Sequence, residues 1–260
     1  MGIKARGVSG ALWTWQMSRC QESVAGIGCG VQGTGGDKLR AIKGIIFDFD
    51  GVIADSEALA NTVLAETVTE LGLPTTLPDA LERYMGKRWP EVIAAIESGV
   101  GRSLGPTFSD DVKAATLARF RTHLREVTGA SDFIRRHGHL PRCIASSSSA
   151  DRLALSLEVL RLTEEFDGIV FSADLVPRGK PHPDIFLYAA DKIGVAPSDC
   201  LVVEDSLSGV RAGAAAGATV LGLCAGTHIQ DGHAERLRDA GATDVVTSWE
   251  EASAFVAARL

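Results

Sequence analysis

Cysteine is sparse in this chain. Five occur in 260 residues (Cys20, Cys29, Cys143, Cys200, Cys224), an odd number and widely scattered. That argues against a disulfide framework and for a reducing compartment, so a cytoplasmic location is expected. None forms a C-x-x-C pair, which excludes a zinc ribbon. The six histidines show no metal-ligand spacing. No apolar run reaches the roughly 18 residues of a membrane-spanning helix. Positive charge is also short: 26 Lys and Arg stand against 33 Asp and Glu, for a net charge of −7. Bulk charge therefore does not favour a nucleic-acid surface. There is no internal repeat, and no low-complexity run beyond the four serines at 146–149. What is present is ordinary for a globular protein. Hydrophobic residues make up 45%, enough to bury a sizeable core without staples. The length suits one large domain or a core plus a smaller one.

Residues 1–40 differ from the rest. They hold five basic residues against two acids, and they include Trp13 and Trp15. Apolar residues recur there at no steady period, so the segment is read as a flexible N-terminal extension. No apolar stretch of signal-peptide length follows the basic start. Gly28, Gly30 and Gly33 satisfy G-x-G-x-x-G. A dinucleotide site needs a strand before that motif and a helix after it. QESVAGI is a poor strand and TGGDKLR opens no helix, so no dinucleotide is expected.

Beyond residue 40 the pattern alternates. GIIFDF at 44–49 is a short apolar run closed by the turn-like Asp50-Gly51, as in a strand buried on both faces of a parallel sheet. Further strands are expected at 142–145, 168–171, 201–203, 219–223 and 244–246. Helical patterns fill 150–161, 182–194, 206–216 and 231–240. The stretch 56–127 breaks the alternation and reads as helices only, at 56–72, 79–85, 90–98 and 109–125. The predicted fold is α/β: a doubly wound, Rossmann-like parallel sheet with a small all-helical cap domain inserted after the first strand. The core covers 41–55 and 128–260, and the cap 56–127.

In such a sheet, ligands gather beyond the carboxyl ends of the strands. The first strand delivers Asp48 and Asp50, carboxylates at i and i+2 that point to one side of extended backbone. Two such charges are costly unless a cation sits between them or one is protonated. The second strand delivers Ser146, then Ser147 and a helix start suited to phosphate. A loop delivers Lys180 between Gly179 and Pro181, and the fourth strand delivers Glu204-Asp205-Ser206. Hard oxygen ligands without His or Cys select Mg²⁺ over zinc. Cation, lysine, hydroxyl and backbone donors together form the cradle that phosphoryl transfer requires.

Asp48-Phe49-Asp50-Gly51-Val52, then Ser146, then Gly179-Lys180-Pro181 with Pro183-Asp184, then Glu204-Asp205-Ser206 with Gly209 resemble the four ordered motifs of the haloacid dehalogenase-like hydrolase superfamily. The likeness covers roughly residues 43 to 250. The helical insert resembles the cap of its β-phosphoglucomutase and sugar-phosphatase branch. The resemblance implies Asp48 as nucleophile, Asp50 as acid then base, Ser146 on the phosphoryl oxygens and Lys180 as charge balance. It implies Mg²⁺ on Asp48, Asp205 and Asp50 (through its carbonyl), with Glu204 direct or through water. Gly51 and Ser147 complete the phosphate-side contacts.

Specificity must come from the insert, where Tyr84-Met85-Gly86-Lys87-Arg88-Trp89-Pro90 offers a turn, two cations and an aromatic. Lys87 or Arg88 is the expected reader of the leaving group, with Arg119, Arg121 and Arg178 as weaker candidates. The implied partner is a small-molecule phosphate ester, such as a sugar or sugar-acid phosphate, with no nucleic acid and no membrane. Monomer and homodimer both stay open. The mutases of the branch carry a His where this chain has Ala60, twelve residues after the nucleophile. That favours a phosphatase over a mutase. A metal-free dehalogenase is disfavoured by Asp50 and Asp205. A non-catalytic phospho-receiver is disfavoured by length, insert and motif order.

Overall fold

The computed structural model describes residues 41–260. The glycine trio Gly28, Gly30 and Gly33 and the expected extension lie outside the described residues. Six strands, β1 (Gly44–Phe47), β2 (Arg142–Ser146), β3 (Val170–Ser172), β4 (Cys200–Glu204), β5 (Thr219–Leu223) and β6 (Asp244–Val246), form one sheet in the order β3-β2-β1-β4-β5-β6. Every neighbouring pair is parallel. The doubly wound α/β fold is the one the alternation predicts.

Both faces of the sheet are covered, which is why its strands read as unbroken apolar runs. Side chains alternate across each strand. Ile45 and Phe47 enter one core with Phe133, Phe166 and Trp249, supplied by α5 (Ala130–Arg136), a 3-10 turn and α10 (Trp249–Ala257). Phe47 meets Phe133 and Phe166 edge-on, each at 6.0 Å between ring centroids. Ile46 enters the opposite core with Ile185, Phe186, Val210 and Leu237, from α7 (Asp184–Ile193), α8 (Leu207–Ala215) and α9 (His233–Ala240). A further helix, α6 (Ala150–Leu160), follows β2.

Between β1 and α5 the chain forms four helices: α1 (Glu57–Glu70), α2 (Leu77–Arg83), α3 (Trp89–Val100) and α4 (Phe108–His123). They share their own apolar cluster, centred on Leu64, Val68, Tyr84, Val92, Ile96 and Phe108. Thr76 starts α2 with a reciprocal capping box to Asp79. Gly101 closes α3 in the left-handed conformation. The two chain segments entering and leaving this bundle are paired, Ala54 bridging Glu126 antiparallel. Among the described residues, no helix is long and apolar enough to cross a membrane.

Candidate active site

The strand order reverses between β1 and β4, and the side chains leaving their carboxyl ends meet there. Asp48 follows β1, Glu204 ends β4 and Asp205 follows it. All three are buried, and one oxygen from each lies within 4.8 Å of the others. Lys180, from the loop before α7, spans two of them: its Nζ donates to Asp48 Oδ1 at 2.6 Å and to Glu204 Oε1 at 2.5 Å. The other oxygen of Glu204 accepts from the Ser206 amide at 2.8 Å and its hydroxyl at 2.9 Å. Gly209 makes room for this carboxylate, since a Cβ there would lie 1.6 Å from Glu204 Oε1.

Burial raises the Asp48 carboxyl well above the usual range; Lys180 opposes this, while Glu204 and Asp205 add to it. Burial likewise raises Asp205, against the hydrogen bond from His228. Desolvation would strip Lys180 of its proton, but Asp48 and Glu204 outweigh it and hold the ammonium above its ordinary value. Two of the three buried carboxylates thus share one lysine, while the third pairs with His228. Hard oxygen donors with surplus negative charge fit a divalent cation such as Mg²⁺. Asp48 and Asp205 have the oxygens to hold it directly. Both oxygens of Glu204 also accept hydrogen bonds, one from Lys180 and the other from Ser206.

The Asp50 carboxylate stands apart from that cluster. It accepts from Ser56 Oγ and Ser148 Oγ, each at 2.5 Å, and from Arg152 Nη2 at 2.6 Å. Burial pushes its pKa up, but the Arg152 guanidinium and the two hydroxyls more than offset this and hold it below the usual carboxylate value. As a metal ligand, Asp50 therefore has only its backbone carbonyl to offer. Ser146 is buried at the end of β2, its Oγ accepting from the Ser148 amide at 3.1 Å. Ser147 beside it is exposed.

Gly51, expected on the phosphate side, serves the turn. Its amide donates to Ala54 O at 2.7 Å, its φ is +77°, and a Cβ would lie 1.9 Å from Asp205 Oδ2. Its amide is committed and not free for a phosphate. In the insert loop, Lys87 and Arg88 are both exposed, and Arg88 is bound to Glu91 through its guanidinium. Trp89 is 37% exposed, stacked on Phe108, and donates to Ser109 Oγ at 2.9 Å. Two of the weaker candidates also have partners: Arg119 bonds Glu66 at 2.6 Å, and Arg178 pairs with Asp184 at 2.7 Å. Arg121 is exposed.

Sequence reasoning missed Arg152, Ser56, Glu57 and His228. Arg152 carried a signal: a cation in the first turn of a helix opposes the macrodipole, which implies an acidic partner. Ser56 and Glu57 lie where α1 begins. Burial and the nearby Asp50 charge push Glu57 up to about 7 despite Arg152 and His228. His228 lies in the loop after β5, another strand end facing the site.

The haloacid dehalogenase-like hydrolase family model matches residues 45–223. The chain belongs to this family. Among its curated relatives is the 6-phosphogluconate phosphatase of Escherichia coli, 28% identical over 191 residues, covering 73% of this chain and 86% of the relative. The fructose-1-phosphate phosphatase YqaB of E. coli is 30% identical, covering 67% of this chain and 92% of its own. Among solved structures, a haloacid dehalogenase-like protein from Agrobacterium tumefaciens superposes with a TM-score of 0.76 at 36% identity, covering 84% and 98% of the two chains. A family hydrolase from Deinococcus radiodurans, with bound phosphate and sodium, gives 0.71 at 33%, covering 84% and 96%.

Proposed function

We propose that this phosphoric monoester hydrolase is a magnesium-dependent phosphatase acting on a sugar or sugar-acid phosphate through a phosphorylated Asp48. The carrying observation is the Lys180 bridge between Asp48 and Glu204, beside Asp205, with Asp50 held separately by Arg152. Sugar-phosphate chemistry is supported by the 6-phosphogluconate and fructose-1-phosphate phosphatases to which the chain is similar.

An Asp48 oxygen attacks phosphorus, and the bond from phosphorus to the ester oxygen breaks. The alkoxide leaves with a proton, for which Asp50 must be protonated. Water then attacks the acyl phosphate, loses a proton to ionised Asp50, and releases inorganic phosphate and free Asp48. The contacts of Asp50 favour its ionised form, which suits the second step. For the first step it must part from Arg152 and the serines. Lys180 holds one Asp48 oxygen and leaves the other to attack. A bound Mg²⁺ supplies charge neutralisation for the phosphoryl oxygens and for Asp48 and Asp205. Ala60 packs against the core and has no proton to trade, which favours loss of phosphate to water over its return to a sugar.

Hydrolysis of p-nitrophenyl phosphate with Mg²⁺ tests the reaction, and a panel of sugar phosphates tests the class. Asp48→Asn is expected to abolish turnover. Undiminished turnover by that variant overturns the reading, and isomerisation of a hexose phosphate without phosphate release would replace it with a mutase.

A further inference from the structure

The loop after β5 and the start of α9 place two histidines on a single candidate metal ligand. His228 Nε2 lies 2.8 Å from Asp205 Oδ2, with both side chains almost fully buried. His233 Nε2 lies 2.6 Å from the backbone oxygen of the same residue. A carboxylate oxygen only accepts, so the His228 proton sits on Nε2 and points at Asp205. Its Nδ1 is buried and meets no partner, so the ring has one polar engagement among the described residues.

The surroundings fit the ring closely. A Cβ on Gly226 would lie 2.7 Å from His228 Nδ1 and Cε1, and one on Gly51 would lie 2.7 Å from Cε1. Two glycines thus leave space where the imidazole sits. The neighbouring Thr227 fastens the loop, its amide and hydroxyl donating to Asp55 Oδ1 at 3.0 and 2.9 Å. No donor among the described residues engages the other oxygen of Asp205.

The geometry points to His228 as a positioning residue for metal binding: by holding Oδ2 it fixes the Asp205 carboxylate beside Asp48 and Glu204, where the cation would sit. This rests on the metal-assisted reading above and adds a determinant of metal affinity to it. Carboxylate ligands are commonly oriented by such outer hydrogen bonds, and losing one typically costs 10–100-fold in metal affinity.

The test compares three variants of the full chain by calorimetric titration with Mg²⁺ alone. His228→Gln keeps a donor near the Nε2 position. His228→Asn places its amide near Nδ1, and His228→Leu fills space without a donor. The Leu and Asn variants are expected to bind Mg²⁺ about 10–100-fold more weakly. The Gln variant should stay within about threefold of the parent, a margin well below that range. The metal-induced rise in melting temperature should follow the same order, and in kinetics the half-saturating Mg²⁺ concentration should move far more than turnover at saturation. Should the Leu variant not fold, the contrast between Gln and Asn decides. Unchanged affinity in a folded Leu or Asn variant overturns the assignment, as does equal loss in all three, which marks a space-filling role. If the parent binds Mg²⁺ with this variant pattern yet hydrolyses no phosphate ester, the assignment stands and the proposed function falls. If the parent is an active phosphatase and the folded variants bind Mg²⁺ normally, the reverse holds.

Discussion

Arg152 donates to Asp50 across 2.6 Å, from a helix that begins a hundred residues further along the chain. Its guanidinium also lies 5.0 Å from the centroid of the Phe120 ring in α4. One side chain thus touches the candidate acid-base residue and the last helix of the insert.

Replacing Arg152 with Met is therefore expected to act twice. The Asp50 carboxyl, now held below its ordinary value, rises once the guanidinium is gone. If ionised Asp50 is the base for the water step, the acid limb of the turnover profile moves to higher pH. Stability follows the same linkage. A depressed folded-state pKa contributes stability above the unfolded value of about 3.9, lost as pH falls through the folded one. Leaving a buried carboxylate without its partner costs about 3–5 kcal/mol at neutral pH. A pH-rate series and urea unfolding at pH 7 and pH 3 check both parts. An unmoved acid limb would dissociate Arg152 from the chemistry.

Chelation should destabilise the protein. Asp48, Glu204 and Asp205 crowd together with Lys180 as the cation among them. A divalent ion at a hundred times its dissociation constant is expected to add about 2.7 kcal/mol. Because the ligands must be deprotonated to bind, and burial raises Asp48 and Asp205, the gain should shrink as pH falls toward the acid range. Melting curves with Mg²⁺ or EDTA at pH 5 and pH 8 measure it, and equal shifts at both values would contradict the carboxylate site.

Glu57 offers a pH test of its own. Its pKa is pushed up to about 7, so the ionised form is a burden in the metal-free fold. A raised acid costs nothing below its unfolded value of about 4.3, and its full amount above the folded one. Glu57→Gln should therefore stabilise the metal-free protein at pH 8, by on the order of 1–3 kcal/mol after allowance for partial exposure, and leave it unchanged at pH 4. Denaturant midpoints at the two pH values decide the matter.

The sheet was legible because strands buried on both faces are short apolar runs between turn residues. The expected strand at 219–223 coincides with β5, and 142–145 falls one residue short of β2. Two helices escaped. In α5, ASDFIRR is too short to show a period. At the start of α10 (Trp249–Ala257), Ser248 and Glu251 form an S-x-x-E signature, and Ser248 accepts from the Glu251 amide as such a motif predicts. The acidic residues at the ends of β1 and β4 could be placed because each follows directly on an apolar strand run. Their supports could not: Arg152 and His228 reach the site from helix and loop positions whose partners are distant in sequence.

The insert loop yields the sharpest specificity test, because the structure separates two cations that sequence left equal. Arg88, the residue before α3, is tied to Glu91 in that helix's first turn. Lys87 is exposed and has no ion-pair partner among the described residues, which makes it the cation to test against an anionic or polyhydroxyl leaving group. A hydrogen bond to a charged group contributes about 1.5–3 kcal/mol, roughly 10–150-fold in KM. Lys87→Ala should raise KM for the best sugar phosphate to that extent and barely change it for p-nitrophenyl phosphate, which lacks the group to be read. Arg88→Ala should do less, since it frees a side chain already occupied. If Lys87→Ala leaves both KM values unchanged, the leaving group is read by other residues and the loop is only a turn between helices.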